Sequence, residues 1–277
     1  MKLTNPSAVK ALLTQHGLRP DRDFGQNFLV DASALNAIVE AAGIQPEDFV
    51  LEIGPGLGTL TQRLAQAART VVSVELDQRL EPVLAQTLAG SSNVSVVFQD
   101  ALDFDFGSVP DGALLVANLP YNVATPLVAR ALESGRFRRL VFLVQREVAE
   151  RMAASPSTPQ YGALSLLVRH FGNARALRHV APGSFYPAPE VTSSVVRIDV
   201  DPGKSRAPEL FALIRHAFTH RRKTLKRNLI MAGYAEGRVG EALASSGLDP
   251  RVRAEALDLA TFERLSERLH MAGFSSK

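Results

Sequence analysis

The 277-residue sequence contains no cysteine, which excludes disulfide bonds and thiolate-bound metals. It also lacks long hydrophobic runs, since no apolar segment reaches the roughly 18 residues that a transmembrane helix requires. The first 30 residues carry Asp21 and Asp23 and have no apolar core of signal-peptide length. The six histidines show no metal-ligand spacing. We therefore expect a soluble cytoplasmic protein that uses neither a metal nor a membrane.

Acidic and basic residues are unevenly distributed, although the net charge is only +3. Residues 204–277 hold 14 Lys and Arg against 8 Asp and Glu, whereas residues 1–203 hold 17 against 20. A turn-forming stretch, Asp201 to Lys204, lies at the change. We therefore predict two domains, 1–203 and 204–277. The basic second domain could bind a polyanion or present a solvated helical surface, and charge alone favours neither.

Strand-like and helix-like segments alternate through the first domain. We predict strands at 49–53, 70–75, 94–98, 113–117 and 139–144 and helices at 57–68, 76–88, 125–134 and 145–154. A helix over 32–42, an exposed loop at 155–161 and a closing strand at 193–200 complete this domain. The alternation predicts an α/β fold with a doubly wound, mostly parallel sheet. Apolar residues at helical spacing after residue 204 predict a small all-helical domain.

The tetrapeptide Asn118-Leu119-Pro120-Tyr121 directly follows a predicted buried strand. Pro120 cannot continue that strand, so these residues belong at its carboxyl end, where open α/β sheets bind ligands. The Asn118 side chain and the Leu119 carbonyl offer two acceptors beside an aromatic ring. This arrangement suits a planar, amino-bearing group such as adenine. A simple strand-ending turn is the alternative.

A glycine-rich turn follows the first predicted strand of the sheet. Gly54, Gly56 and Gly58 fall at offsets 0, 2 and 4, whereas dinucleotide-binding folds usually show offsets 0, 2 and 5. Pro55 removes an N–H that a pyrophosphate would use, which favours a cofactor without phosphate, such as S-adenosyl-L-methionine (SAM). Glu75, at the end of the next strand, can accept both ribose hydroxyls. Asp100, after the third strand, can accept an adenine amino group.

With these motifs in order, the chain resembles the ribosomal RNA adenine N6,N6-dimethyltransferases, in particular the bacterial enzymes that act on the small subunit. The resemblance covers nearly the whole chain. It rests on residues 25–31, 51–61, 74–77, 99–101, 118–121, 185–195 and 218–225. It implies a Rossmann-like SAM-dependent methyltransferase sheet with a small C-terminal all-helical domain. It also implies an enzyme that dimethylates two adjacent adenosines near the 3′ end of small-subunit rRNA, with immature subunits as partners. We expect a monomer, since nothing in the sequence requires a dimer.

The same resemblance assigns roles to individual residues. The SAM contacts that it implies are Asn27, Leu29, Gly54, Glu75, Asp100 and Asn118. The implied catalytic set is Asn118, Leu119, Pro120, Tyr121 and Phe185, with the two aromatic rings sandwiching a base that has left its stack. A basic cluster implies RNA binding by Arg221, Arg222, Lys223, Lys226 and Arg227. If that cluster is helical, it covers more than one helix face.

Several other functions are compatible with parts of the pattern. A macrolide-resistance-type methyltransferase acting on large-subunit rRNA shares the adenine chemistry. A non-catalytic ribosome-assembly factor could retain this fold, although the intact tetrapeptide at 118–121 favours catalysis. A nicotinamide dehydrogenase is disfavoured by the glycine spacing. A protein-glutamine methyltransferase would leave the basic helical segment unexplained.

Overall fold

A computed structural model describes residues 3–21, 24–119 and 123–270. Two compact units share the chain: one combines Met1–Ala149 with Gly172–Gly203, and the other combines Glu150–Phe171 with Lys204–Lys277. The expected division at residue 203 differs from these units in one segment, 150–171. The physical reason is local pairing within the second unit. The Tyr161 hydroxyl donates to the Leu257 carbonyl at 2.7 Å, and the Ser157 N–H donates to the Glu255 carbonyl at 2.8 Å.

The first unit is built on strands that alternate with helices. Its strands are β1 (Phe28–Leu29), β2 (Phe49–Ile53), β3 (Thr70–Glu75), β4 (Val94–Phe98), β5 (Ala113–Asn118), β6 (Phe137–Gln145), β7 (Gly172–Val180), β8 (Phe185–Tyr186) and β9 (Ser193–Val200). Its helices are α1 (Pro6–Gln15), α2 (Ala32–Ala42), α3 (Thr59–Ala67), α4 (Glu81–Thr87) and α5 (Ala124–Ser134). Helix α6 (Arg146–Ala153) runs from this unit into the second.

Seven of these strands form one sheet in the order β4-β3-β2-β5-β6-β9-β7. The pairs from β4 to β6 are parallel, and β9 pairs antiparallel with β6 and β7. The predicted doubly wound, mostly parallel sheet is therefore confirmed. The strand order reverses between β2 and β5, so a crevice opens at their carboxyl ends, where such sheets bind ligands.

Local sequence signals explain where the first helices begin. The Asn5 side chain accepts the Ser7 N–H at 2.8 Å and caps α1, with Pro6 at the first helical position. Asp31 caps α2 in the same way by accepting the Ser33 N–H at 2.8 Å. Helices α2 and α3 bury apolar residues against β2, β5 and β6, whereas α1 and α4 pack with β1 in a separate apolar cluster.

The described regular structure of the second unit is helical. Its remaining helices are α7 (Ala163–Phe171), α8 (Pro208–Ala217), α9 (Leu225–Met231), α10 (Glu236–Ser245) and α11 (Leu259–His270). Helix α8 packs on α7, α9 and α11 around Phe211, Leu213 and Phe262. The Thr224 hydroxyl caps α9 by accepting the Arg227 N–H at 3.2 Å. Within the ranges described, no helix combines the length and apolar character needed to cross a bilayer.

Candidate active site

One cavity lies in the crevice at the carboxyl ends of β2 to β5. Its lining brings together eight of the residues singled out from the sequence, which are Asn27, Leu29, Gly54, Glu75, Asp100, Asn118, Leu119 and Phe185. These residues come from six separate stretches of chain, so their convergence is a product of the fold. Two further predicted residues, Pro120 and Tyr121, lie outside the described residues.

The glycine-rich turn between β2 and α3 forms one wall of this cavity. Gly54 has φ +70°, and a Cβ built there would lie 3.7 Å from the Asn118 carbonyl oxygen at the end of β5. Gly56 has φ +58°, and its Cβ would approach the Phe28 ring at 3.2 Å. Residues with side chains rarely adopt these dihedrals, and a side chain at position 56 would also crowd the Phe28 ring. The turn thus brings bare backbone next to the cavity.

Glu75 lies at the end of β3 beneath this turn and is almost fully buried. Its carboxylate accepts the Gly56 N–H at 3.1 Å and the Asp77 N–H at 2.9 Å. Burial raises the pKa of Glu75, and these backbone donors act in the opposite direction. The carboxylate is therefore held rigidly at the cavity wall, where it can accept hydroxyl groups.

Asn118 ends β5 on the opposite wall, and Leu119 follows it directly. The Asn118 amide nitrogen donates to the Asn27 carbonyl at 3.3 Å, which links β5 to the segment before β1. The Leu119 N–H donates to the Leu143 carbonyl of β6 at 3.1 Å, which fixes the direction of the peptide. After β4, Asp100 turns the chain by accepting the Leu102 N–H at 2.7 Å. Polar groups from three strand ends therefore surround one space.

Phe185 reaches the cavity from a two-stranded sheet formed by β1 and β8. Leu29 pairs with Phe185, and Phe28 pairs with Tyr186. Phe185 is only 5% exposed and belongs to the same apolar cluster as Leu29, so it is both a core residue and a cavity residue. The Phe185 ring is therefore held in place by packing.

A clamp that the sequence did not indicate holds the segment before β1 against the cavity. The Gln26 amide donates to Asp77 at 2.7 Å, and its oxygen accepts the Asp21 N–H at 2.9 Å. Arg79 contacts Asp77 and Asp21, both at 2.8 Å, and its guanidinium lies 5.0 Å from the centre of the Phe24 ring. Arg79 and Asp21 lie 58 residues apart in the sequence, and no local pattern of charges indicates that they form an ion pair.

A buried acid beneath the glycine-rich turn was also missed. Glu52 is fully buried in β2 and accepts the Ser73 hydroxyl of β3 at 2.7 Å. Burial raises the pKa of Glu52 to about 7, and the Glu52 Oε1 atom has no hydrogen-bond partner among the described residues. The sequence feature that could have indicated this buried acid is a glutamate inside an otherwise apolar predicted strand.

The basic cluster lies in the second unit, and its members have different environments. Arg221 donates to the Pro159 carbonyl at 2.7 Å, and Lys226 pairs with Glu236 at 2.8 Å. Arg222, Lys223 and Arg227 are exposed. Only Lys226 and Arg227 are helical, because residues 221–224 form the turn before α9.

Comparison with known proteins shows which family has this sequence. The sequence profile of the family described as ribosomal RNA adenine dimethylase matches residues 18–270. The chain belongs to this family. The ribosomal RNA small subunit methyltransferase A of Deinococcus radiodurans is 44% identical over 96% of this chain and 91% of the relative. The protein of the same name from Pelotomaculum thermopropionicum is 41% identical over 98% of each chain.

Solved structures agree with the dimethylase family. The dimethyladenosine transferase from Plasmodium falciparum matches with a TM-score of 0.71 and 28% identity, over 86% of this chain and 95% of that one. The 23S rRNA methyltransferase ErmE matches with a TM-score of 0.67 and 28% identity, over 88% and 99%. The predicted family and fold class are confirmed. The enzyme is a SAM-dependent rRNA methyltransferase, as the sequence predicted, and rRNA is its partner.

The cavity of this dimethylase suits SAM. Glu75 and Asp100 place acidic groups on its wall, and Pro55 offers no N–H at the turn. Such a lining disfavours a pyrophosphate and suits a cofactor that carries hydroxyl groups, an amino group and a sulfonium cation. Bare backbone at Gly54 and Gly56 lets that cofactor approach closely.

Proposed function

We propose that this enzyme dimethylates the N6 atoms of two adjacent adenosines in the 3′-terminal hairpin of small-subunit rRNA. In this proposal it acts as a cytoplasmic monomer on immature small subunits and contributes to their biogenesis. The observation that carries the proposal is the full-length similarity to small-subunit methyltransferases, at 44% and 41% identity. Identity to the large-subunit enzyme ErmE is 28%.

The residues around the cavity have distinct roles toward SAM in this proposal. Glu75 accepts the ribose hydroxyls, because its carboxylate is already aimed by the Gly56 and Asp77 N–H groups. Asp100 accepts the adenine amino group of the cofactor. Gly54, together with Asn27, Leu29 and Asn118, shapes the wall around the rest of the molecule. Bound SAM supplies an electrophilic methyl group.

The target adenine binds at the end of β5. N6 is a poor nucleophile, because its lone pair is delocalised into the ring. With its N–H group directed at Asn27, the Asn118 amide presents its oxygen to one N6 hydrogen, and the Leu119 carbonyl accepts the other. These two acceptors favour a pyramidal nitrogen whose lone pair points at the methyl group. The methylated nitrogen then loses a proton readily, so no strong general base is required.

Aromatic side chains hold the base after it leaves its stack. Phe185 is positioned by its packing with Leu29, and we propose that Tyr121 covers the opposite face of the base. We propose that Pro120, which has no N–H to donate, belongs to the same catalytic segment. Dimethylation further requires that one acceptor stays engaged when a methyl group replaces the first N6 hydrogen.

Some residues of the basic cluster are suited to RNA binding, and others also stabilise the fold of the second unit. Arg222, Lys223 and Arg227 are exposed and suit phosphate contacts. Arg221 and Lys226 also stabilise the second unit, through Pro159 and Glu236 respectively. Electrostatic binding of rRNA is therefore best tested at the first three positions.

The proposal is tested with radiolabelled SAM, small subunits that lack the modification, and large subunits as a control. Labelled nucleosides are identified by mass spectrometry. We expect two N6,N6-dimethyladenosines per small subunit and none in the large subunit, and Asn118→Ala serves as the low-activity variant. Label in the large subunit would assign the enzyme to the resistance type, which its likeness to ErmE makes the second candidate. Binding without label would indicate an assembly factor.

A further inference from the structure

A second cavity lies beside the first, with a volume of about 960 Å³. This is near the upper end of the roughly 300–1,000 Å³ typical of ligand clefts. Its lining comes from α1 and the chain after it, from Gly25 to Asn27, from Gln145, and from Tyr186 to Val191. The mechanism proposed above uses none of this space apart from Asn27.

The two cavities share a wall. Gly25, Gln26 and Asn27 line both of them. The neighbouring residues Phe185 and Tyr186 are divided between them, with Phe185 lining the first cavity and Tyr186 the second. This division follows from the strand geometry of β8, in which successive side chains point to opposite faces. The second cavity therefore begins one residue away from the ring assigned to the target base.

The position of Gln145 in the sheet also places the second cavity next to the site assigned to the target base. Gln145 ends β6, and β6 pairs with β5 so that Leu143 lies opposite Asn118. Gln145 therefore extends past the same carboxyl edge on which Asn118 presents its amide. A polymer that inserts one residue at Asn118 would place the adjoining residue next to Gln145.

The polar groups of the second cavity suit a nucleotide. Lys10 and Arg19 are exposed at the lining and form no ion pair with any described residue. Such cations contact phosphates. Asn27 and Gln145 carry amides that can pair with base edges, and the partly exposed Tyr186 ring offers a stacking surface. Glu190, the acid among the described lining residues, can accept a 2′-hydroxyl or a base amino group.

We propose that this second cavity binds the RNA nucleotide that adjoins the target adenosine. Lys10 and Arg19 contact its phosphates, and Tyr186 stacks on its base. The inference rests on the proposed function, because it takes single-stranded rRNA as the substrate. It adds a site that holds the strand in register while the target base occupies the first cavity. A base flipped from its stack leaves a neighbour without its stacking partner, and this cavity supplies a new one.

The test compares two charge-reversed double variants with the wild type. Lys10→Glu with Arg19→Glu alters the second cavity, and Arg63→Glu with Arg69→Glu makes the same charge change elsewhere in the first unit. We expect the first pair to raise KM for unmodified small subunits about tenfold or more and to flatten the salt dependence by about 1.4 in log–log slope. The affinity for SAM, measured by calorimetry, stays unchanged. The second pair leaves KM near the wild-type value.

A cross-linking experiment locates the nucleotide directly. Tyr186 is replaced by the photoreactive amino acid benzoylphenylalanine, and cross-linked rRNA is mapped by primer extension. Cross-links at the nucleotide beside the methylated adenosine support the inference. Cross-links confined to distant rRNA, or an equal effect of the two charge-reversed pairs on KM, overturn it. Loss of SAM affinity in the Lys10 and Arg19 variant would also overturn it. Failure of the wild type to methylate small subunits would instead refute the proposed function.

Discussion

The buried carboxyl of Glu52 leads to a prediction about stability and pH. The perturbation is Glu52→Gln, which keeps the shape of the side chain. The amide oxygen can still accept the hydrogen bond from the Ser73 hydroxyl, which lies 2.7 Å from the Glu52 carboxyl oxygen in the wild type. Burial raises the pKa of Glu52 from 4.5 to about 7 in the folded protein. Between these two values the folded state binds more protons than the unfolded state. Stability therefore falls as pH rises through this window, and the full cost is present above pH 7.

The size of the effect follows from the shift in pKa. A pKa raised from 4.5 to about 7 corresponds to about 3 kcal/mol in the free energy of unfolding, since each tenfold change in an equilibrium constant is worth about 1.36 kcal/mol. The glutamine variant has no carboxyl to titrate at this position. We expect the stability of the variant to lie within about 1 kcal/mol of the wild type at pH 5 and to exceed it by about 3 kcal/mol at pH 8.

The assay is urea unfolding, followed by far-ultraviolet circular dichroism at intervals from pH 5 to 8. Most other titrating groups are present in both proteins, and the difference between the curves reports Glu52 together with its charge coupling to Glu75. Glu40→Gln removes the same charge from an exposed position of α2 and should leave the pH profile unchanged. Ser73→Ala should shift the window to higher pH, because its hydroxyl lowers the pKa of Glu52. Parallel profiles for the wild type and Glu52→Gln would refute the reasoning.

Four further predictions concern the cavity and the basic cluster. Phe185→Ala should lower methylation roughly 5- to 150-fold, since base stacking is worth about 1–3 kcal/mol, and an equal loss of SAM affinity would indicate a folding role instead. Glu75→Gln should raise the Kd for SAM, measured by calorimetry, about 10- to 100-fold through loss of charge-assisted hydrogen bonds, and an unchanged Kd would contradict its role. Because burial raises the pKa of Glu75, SAM affinity in the wild type should weaken on acidification at a higher pH than for an exposed glutamate. Replacing Arg222 and Arg227 by glutamate should weaken rRNA binding and flatten the dependence of log affinity on log salt concentration. An unchanged slope would show that the basic cluster is a solvated surface that does not contact RNA.

The sequence predicted the central sheet well because its strands are short, apolar and separated by amphipathic helices. The predicted limits at 49–53, 70–75 and 94–98 agree with β2, β3 and β4. Strand β7 was not predicted, since it lies at the edge of the sheet and most of its residues are exposed. Without a buried face, its sequence carries no alternation of apolar and polar residues.

The site was predictable where a residue type is demanded by the backbone or by the chemistry. The glycines of the turn, the acids Glu75 and Asp100 and the amide of Asn118 are of this kind, and all line one cavity. The clamp of Arg79 on Asp21 was not predictable, because it joins surface residues 58 positions apart. Its existence depends on how α1 and the following segment lie against α4, which no local pattern records.

The division of the chain into two units has a consequence for synthesis. The nascent chain completes α7 before any part of residues 204–277 exists, although α7 packs against α8 and α11 in the finished protein. At about 5–20 residues per second, roughly 5–20 s pass between the synthesis of α7 and the end of α11. Phe171 lacks its ring contact with Phe211, at 5.8 Å between centroids, until α8 has been made. The packing of α7 is therefore completed in two steps, first by α8 and last by α11, when the final helix has been synthesised.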